Sequence, residues 1–220
     1  MTPPKMQTKL PLKMNKTAQT SPPIHPLLAE RYSPRTFDPR PISENALISL
    51  FEAARWAPSS RNLQPWSFIV AVWPNQNEFL ALFCRLQEGK QRWAQNAAVL
   101  MLAVAHMRDS DESEPNYKKY YDLGLAVANL TTEAMARGIY LRQMGGFWPD
   151  IARSTYAIPA THTPVVGLAL GYRGAVTDLP EDLQAREQQP RSRNPLTSFV
   201  FSGRWGQTWP RLSDAKNSPL

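Results

Sequence analysis

Nine consecutive apolar residues, Ala97 to Ala105, set the strongest limit on how this chain can fold. A strand with one solvated face alternates apolar and polar residues, whereas a strand covered on both faces is apolar throughout. The run is far shorter than the roughly 20 residues needed to cross a bilayer as a helix. It therefore predicts a buried central strand with further elements packed on each side.

The flanking segments supply those elements. Pro26 to Tyr32 is a short helical stretch stopped by Pro34. Ser43 stands at the N-cap of a helix whose Ala46, Leu47, Leu50, Phe51 and Ala54 recur at helical spacing, ended before Pro58. Trp66 to Trp73 is aromatic and β-branched and predicts a strand. Glu78 to Leu86 predicts a helix followed by Gly89, and an acidic polar loop spans Asp109 to Pro115. A long helix is expected from about Asn116 to Arg137, with Gly138 where a left-handed C-cap belongs. Ile139 to Gln143 and Thr163 to Leu170 predict short strands, with a helix from Asp150 to Tyr156 between them. From Gly171 onward the chain reads as polar and extended. The order is mixed α and β, which predicts a sheet flanked by helices.

At 220 residues the chain suits one domain with a sizeable core. The net charge is +7, and Lys5, Lys9, Lys13 and Lys16 supply +4 of it in an N-terminal stretch that holds no acid. Residues 1–21 therefore read as a disordered basic arm, 22–206 as the single domain and 207–220 as a tail. The arm lacks interleaved aromatics, which argues against nucleic-acid binding. No apolar region follows its lysines, so neither a secretory signal nor a membrane partner is expected. Cys84 is the one cysteine, so no intrachain disulfide can form, in keeping with the cytoplasm.

Three segments have residue types suited to ligand chemistry. Arg31-Tyr32-Ser33-Pro34-Arg35 brackets a hydroxyl with two guanidiniums, whose forked donors match a phosphate or a polarised heterocycle. The same pattern also occurs on ordinary solvated surfaces. Ala57 to Trp66 places serines and two amides between two prolines, a rigid polar turn that suits a planar ring or serves merely as a connection. Met144-Gly145-Gly146-Phe147 lies between a strand and a helix, where paired glycines admit close backbone approach or simply make a tight turn. There is no Gly-x-Gly-x-x-Gly fingerprint after a strand and no P-loop Lys-Ser/Thr. His25, His106 and His162 are isolated, give no zinc spacing and read as structural.

In this order the segments resemble the nitroreductase family. The resemblance runs from about Pro26 to Trp205. It is carried by R-Y-S-P-R, P-S-S-R-N-L-Q-P-W, D-L-G-L-A-V-A-N-L from Asp122, M-G-G-F, V-V-G-L-A-L-G-Y and the late R-S-R. It implies an α+β fold with a central mixed, mainly antiparallel sheet flanked by helices. It also implies an FMN enzyme that takes hydride from NADH or NADPH at flavin N5 and passes it to a small electrophile by a ping-pong mechanism. Nitroaromatics, quinones and enones are the acceptor classes, and no protein side chain need act as acid or base.

Residue by residue, the resemblance assigns Arg31 and Ser33 to the FMN phosphate and ribityl chain, and Arg35 to the N1/O2 edge. Met144, Gly145 and Gly146 fall beside N5 and O4, and Arg191 and Arg193 close on the phosphate. Pro58, Ser59, Ser60 and Asn62 match a segment that reaches the flavin of a partner subunit, so a homodimer with FMN sites at its interface is implied. Some family members carry a glutamate where Gly145 stands. Lys90 and Arg92 are candidates for a further basic contact, and Tyr117, Tyr120, Tyr121, Phe83 and Trp148 for the acceptor site. Two alternatives stay open: a specialised flavin reaction on the same fold (flavin breakdown, dehalogenation or dehydrogenation), and a basic nucleic-acid-binding protein.

Overall fold

The computed structural model describes residues 16–108 and 115–214. Most of the expected arm and the acidic loop 109–114 lie outside the described residues. Close packing groups the chain into two units, residues up to Gln188 and residues from Gln189 onward.

In the first unit the strands are β1 (Phe37–Asp38), β2 (Trp66–Val72), β3 (Val99–His106), β4 (Tyr140–Met144) and β5 (His162–Arg173). They form one sheet in the order β1-β5-β3-β2, with β4 also on β5, and every pairing is antiparallel. The apolar run is its central strand, as expected. Val99, Met101, Ala103 and Ala105 join one core cluster, while Leu100, Leu102 and Val104 join the other. Side chains alternate between sheet faces, so a strand with two covered faces has no position for a polar residue. The β3–β5 register slips between Ala103 and Val104, where Val166 and Pro164 are the partners. The irregularity accommodates a proline, which cannot donate to the ladder.

Two helices cover the first face. Helix α2 (Glu44–Arg55) starts where Ser43 Oγ accepts from the Ala46 amide at 3.3 Å. Its Ala46, Leu47, Leu50 and Ala54 share a core with Leu123, Ala126, Val127, Leu130 and Ala134 of α5 (Lys118–Ala136). Helix α5 ends at Gly138, whose φ of +69° is the left-handed cap the sequence calls for. The other face is covered by α3 (Gln76–Phe83), α4 (Glu88–Ala94), α6 (Pro149–Thr155) and α7 (Glu181–Gln188), through Phe79, Leu82, Trp93, Ala94, Ala152 and Leu183. Short α1 (Pro26–Glu30) precedes the Arg31–Arg35 loop.

Two of these helices are absent from the sequence expectation. Helix α4 contains Gly89, which reads as a stop signal in isolation. Tertiary burial of Trp93 and Ala94 outweighs the cost of that glycine, roughly 1 kcal/mol relative to alanine. Helix α7 replaces the extended chain expected after Gly171, although Leu183 is its one buried apolar residue.

In the second unit, Phe201 bridges to Thr208 and Ser202 N–H donates to Gln207 O at 3.0 Å. The bridge encloses Gly203 and Gly206, both at positive φ. The last described element is α8 (Arg211–Asp214). No helix among the described residues is long and apolar enough to cross a membrane.

Candidate functional site

The Arg31–Arg35 loop leaves α1 just before β1 and is held from two sides. Arg31 Nη1 donates to Ser33 Oγ at 3.2 Å, so the first arginine and the hydroxyl act together. From β4, Arg142 Nη1 makes a short hydrogen bond to the Ser33 carbonyl. From α7, Glu187 Oε2 accepts the Arg35 amide at 3.1 Å and stands 3.5 Å from Arg35 Nη1. Glu187 is almost wholly buried, with side-chain exposure of 3% against 23% for Arg35. Neither Arg142 nor Glu187 is a candidate from sequence, because each matters only through a contact made by the fold.

Arg142 is also packed over the Trp93 ring, 5.2 Å from its centroid. Burial first, and the neighbouring Arg35 guanidinium second, draw its pKa down to about 10, while Glu187 acts the other way. It therefore stays charged at neutral pH. Tyr32 sits between Tyr140, in an edge contact at 5.3 Å, and Arg173, whose guanidinium lies 5.7 Å from the ring. Burial pushes its hydroxyl up to about 12, so it is a neutral phenol at physiological pH.

Strand β4 carries Arg142 and ends at Met144, so one element joins the arginine loop to the Gly145-Gly146 turn. The turn's carbonyls are occupied: Phe147 N–H donates to Gly145 O at 3.2 Å and Gln87 N–H to Gly146 O at 3.0 Å. A Cβ on Gly146 would meet the flexible ends of two side chains, Lys90 Cε at 2.6 Å and Gln87 Oε1 at 2.9 Å. A Cβ on Gly145 would meet nothing within 4 Å, so that side of the turn faces open space. Lys90 is thus brought against the turn. Arg92 is directed away, in a forked pair with Asp182 at 2.9 and 2.6 Å.

The Pro58–Asn62 segment is built separately. Ser59 Oγ accepts the Gln64 amide at 3.0 Å, and the buried Asp122 of α5 accepts the Ser60 amide at 3.2 Å. Arg61, Asn62 and Gln64 all take positive φ, which residues with a Cβ rarely do and which marks a loop held under constraint. Pro58, Ser60 and Asn62 are exposed. Among the described residues, the loop's side-chain hydrogen bonds run within itself and to α5.

Arg191 and Arg193 belong to the second unit. Arg193 Nη1 donates to Ser192 O at 2.7 Å, and burial with the adjacent Arg193 charge lowers the Arg191 pKa. Of the aromatic candidates, Tyr117, Tyr121 and Trp148 are at least half exposed. Phe83 is stacked on Phe79 and Tyr120 packs on the α2–α5 core, so these two serve packing.

Known proteins share this fold. An uncharacterized 15.4 kDa protein of Mycolicibacterium smegmatis is 34% identical over 129 residues, covering 58% of this chain and 84% of that protein. A crystal structure of an oxidoreductase containing FMN superposes with a TM-score of 0.82 at 32% identity, over 90% of this chain and 100% of that one. The fold is shared with a variant of the FMN and NADPH-dependent nitroreductase NfnB from Sphigopyxis sp. strain HMH. That match has a TM-score of 0.63 and 18% identity, covering 81% of this chain and 98% of the other. The model of the nitroreductase family matches residues 28–172, which take in the arginine loop, the Pro58–Asn62 segment and the glycine turn, and the chain belongs to that family.

Proposed function

We propose that this chain is an FMN-dependent oxidoreductase that moves hydride from NADH or NADPH to a small electrophilic acceptor of the nitroaromatic, quinone or enone class. One observation carries the reading. The Arg142 bond to Ser33 O ties the arginine loop to the strand that ends in the glycine turn, and Lys90 closes on that turn. Guanidiniums, a hydroxyl, a lysine and a turn facing open space make a donor set that fits an anionic cofactor with a planar ring.

Bound FMN would supply the hydride-accepting centre at N5. The chain's own work is to hold and polarise it. Arg31 and Ser33 hold the phosphate and ribityl chain. Arg35 places a cation at the N1/O2 edge, where reduction deposits negative charge that a fixed positive group stabilises, and Lys90, against the glycine turn, is a candidate for a further basic contact. Met144, Gly145 and Gly146 bring backbone close to N5 and O4. Gly145 leaves room where a glutamate would stand.

Ser59 and the exposed Pro58, Ser60 and Asn62 reach the flavin of a second copy, so two chains make two sites. Their rigid support on Asp122 suits a loop that must present its polar groups outward. We place the reaction in the cytoplasm, where the exposed thiol of Cys84 stays reduced. A turnover screen with NADH and NADPH against nitroaromatics, quinones, enones and free flavin tests the reading. Oxidation of either nicotinamide that depends on an acceptor is expected. Full FMN occupancy with no oxidation of either would favour a specialised flavin reaction.

A further inference from the structure

Helix α7 carries one group that cofactor binding does not require. Glu187 is almost wholly buried, and its Oε1 has no hydrogen-bond partner among the described residues. A buried carboxylate is costly unless neighbouring cations compensate it. Here Oε2 takes both the amide and the guanidinium of Arg35, while Arg142 approaches the same loop from β4. Two guanidiniums, Arg35 partly exposed, and one buried carboxylate therefore share a site, leaving a net charge of +1 where the arginines alone would give +2.

We propose that Glu187 is a positioning residue that fixes Arg35 and sets the charge of this cluster, and through it the reduction potential of bound FMN. The proposal rests on the FMN reading above. Adding electrons to the ring places negative charge beside the cluster. Each arginine favours the reduced form and Glu187 opposes it, with little solvent between them to screen either effect. Glu187 thus holds the flavin less oxidising than two unopposed arginines would make it. Its hydrogen bond to the Arg35 backbone keeps the guanidinium at a set place on the loop.

Two charge-removing changes of opposite sign provide the test. Glu187→Gln keeps an oxygen that can accept from the Arg35 amide but removes the negative charge. Arg142→Gln removes a positive one. Both are to be read by potentiometric titration at full FMN occupancy, alongside the wild-type dimer, with oxidised-FMN affinity measured by fluorescence. The expected result is a rise in potential for Glu187→Gln corresponding to about a tenfold gain in preference for reduced flavin, about 30 mV for two electrons. Arg142→Gln is expected to move the potential down. A purely structural role for Glu187 would alter affinity and stability without producing opposite shifts. An unchanged potential in Glu187→Gln, or shifts of the same sign in both variants, would overturn the proposal. If one variant fails to fold, the sign of the other decides. A wild-type chain that binds no FMN removes the FMN reading and this proposal with it, an outcome distinct from a yellow protein whose potential ignores the charge.

Discussion

Arg35 and Arg193 carry the same charge into different surroundings, and their loss should be felt differently. Arg193 is an exposed cation, and the family resemblance assigns it to the phosphate. Removing a charged hydrogen bond of that kind costs roughly 1.5–3 kcal/mol, so Arg193→Ala should weaken FMN binding about ten- to a hundredfold. Its effect on potential should be small. Arg35, proposed to face the ring edge, is paired with the buried Glu187. Arg35→Ala removes the stabilising cation and also leaves a buried carboxylate unopposed, so the potential should fall and the protein should lose stability. Removing one partner of a buried pair costs about 3–5 kcal/mol, and the partial exposure of Arg35 places this case at or below the lower end. Arg35→Lys should recover part of the potential. Redox titration of the variants at saturating FMN checks the assignment. A shifted potential in Arg193→Ala with none in Arg35→Ala would reverse the two roles.

At the scale of elements, the ladder between β3 and β5 ends in a pair that should respond to pH. His106 and His162 are register partners with rings stacked at 4.5 Å and 13° between planes. Burial first, then the His106, Arg153 and Lys119 charges, lower the His162 pKa below its ordinary value near 6.5. The folded protein thus resists a proton that the unfolded chain accepts. This stability is complete above about pH 6.5 and is lost as pH falls below it. Urea unfolding at pH 7.5 and 5.5 should show lower stability at the acid end, and His162→Gln should lessen the drop. An identical drop in the variant would assign the effect to other groups.

The same scale explains what the sequence made legible. The Ala97–Ala105 run, the Ser43 cap and the Gly138 stop are local signals, and the structure uses each as expected. The arginine loop, the polar turn and the glycine pair were visible because each is contiguous. Arg142, Glu187 and the contact of Lys90 with Gly146 were not visible, since their meaning comes from partners far along the chain. Arg142 is 109 residues from Ser33, and Glu187 is 152 from Arg35. Helix α7, which supplies Glu187, has too few apolar residues to show helical periodicity.

For the whole molecule, the proposed sites need two chains. Ile48 of α2, Trp56 at its end and Leu63 of the polar loop are all more than half exposed. Exposed large apolar side chains on the elements around the Pro58–Asn62 segment suit an association surface. Sedimentation should show a dimer, and Trp56→Glu combined with Leu63→Glu should lose dimer and FMN together. A monomeric variant with full FMN occupancy would show that the Pro58–Asn62 segment serves no partner. The central claim is that each site holds FMN, and the most direct measurement is the identity and affinity of flavin in the purified chain. The protein should be yellow, should release FMN and not FAD on denaturation, and should rebind FMN in a fluorescence titration with one FMN per chain. A colourless protein that fails to bind added FMN would contradict the account.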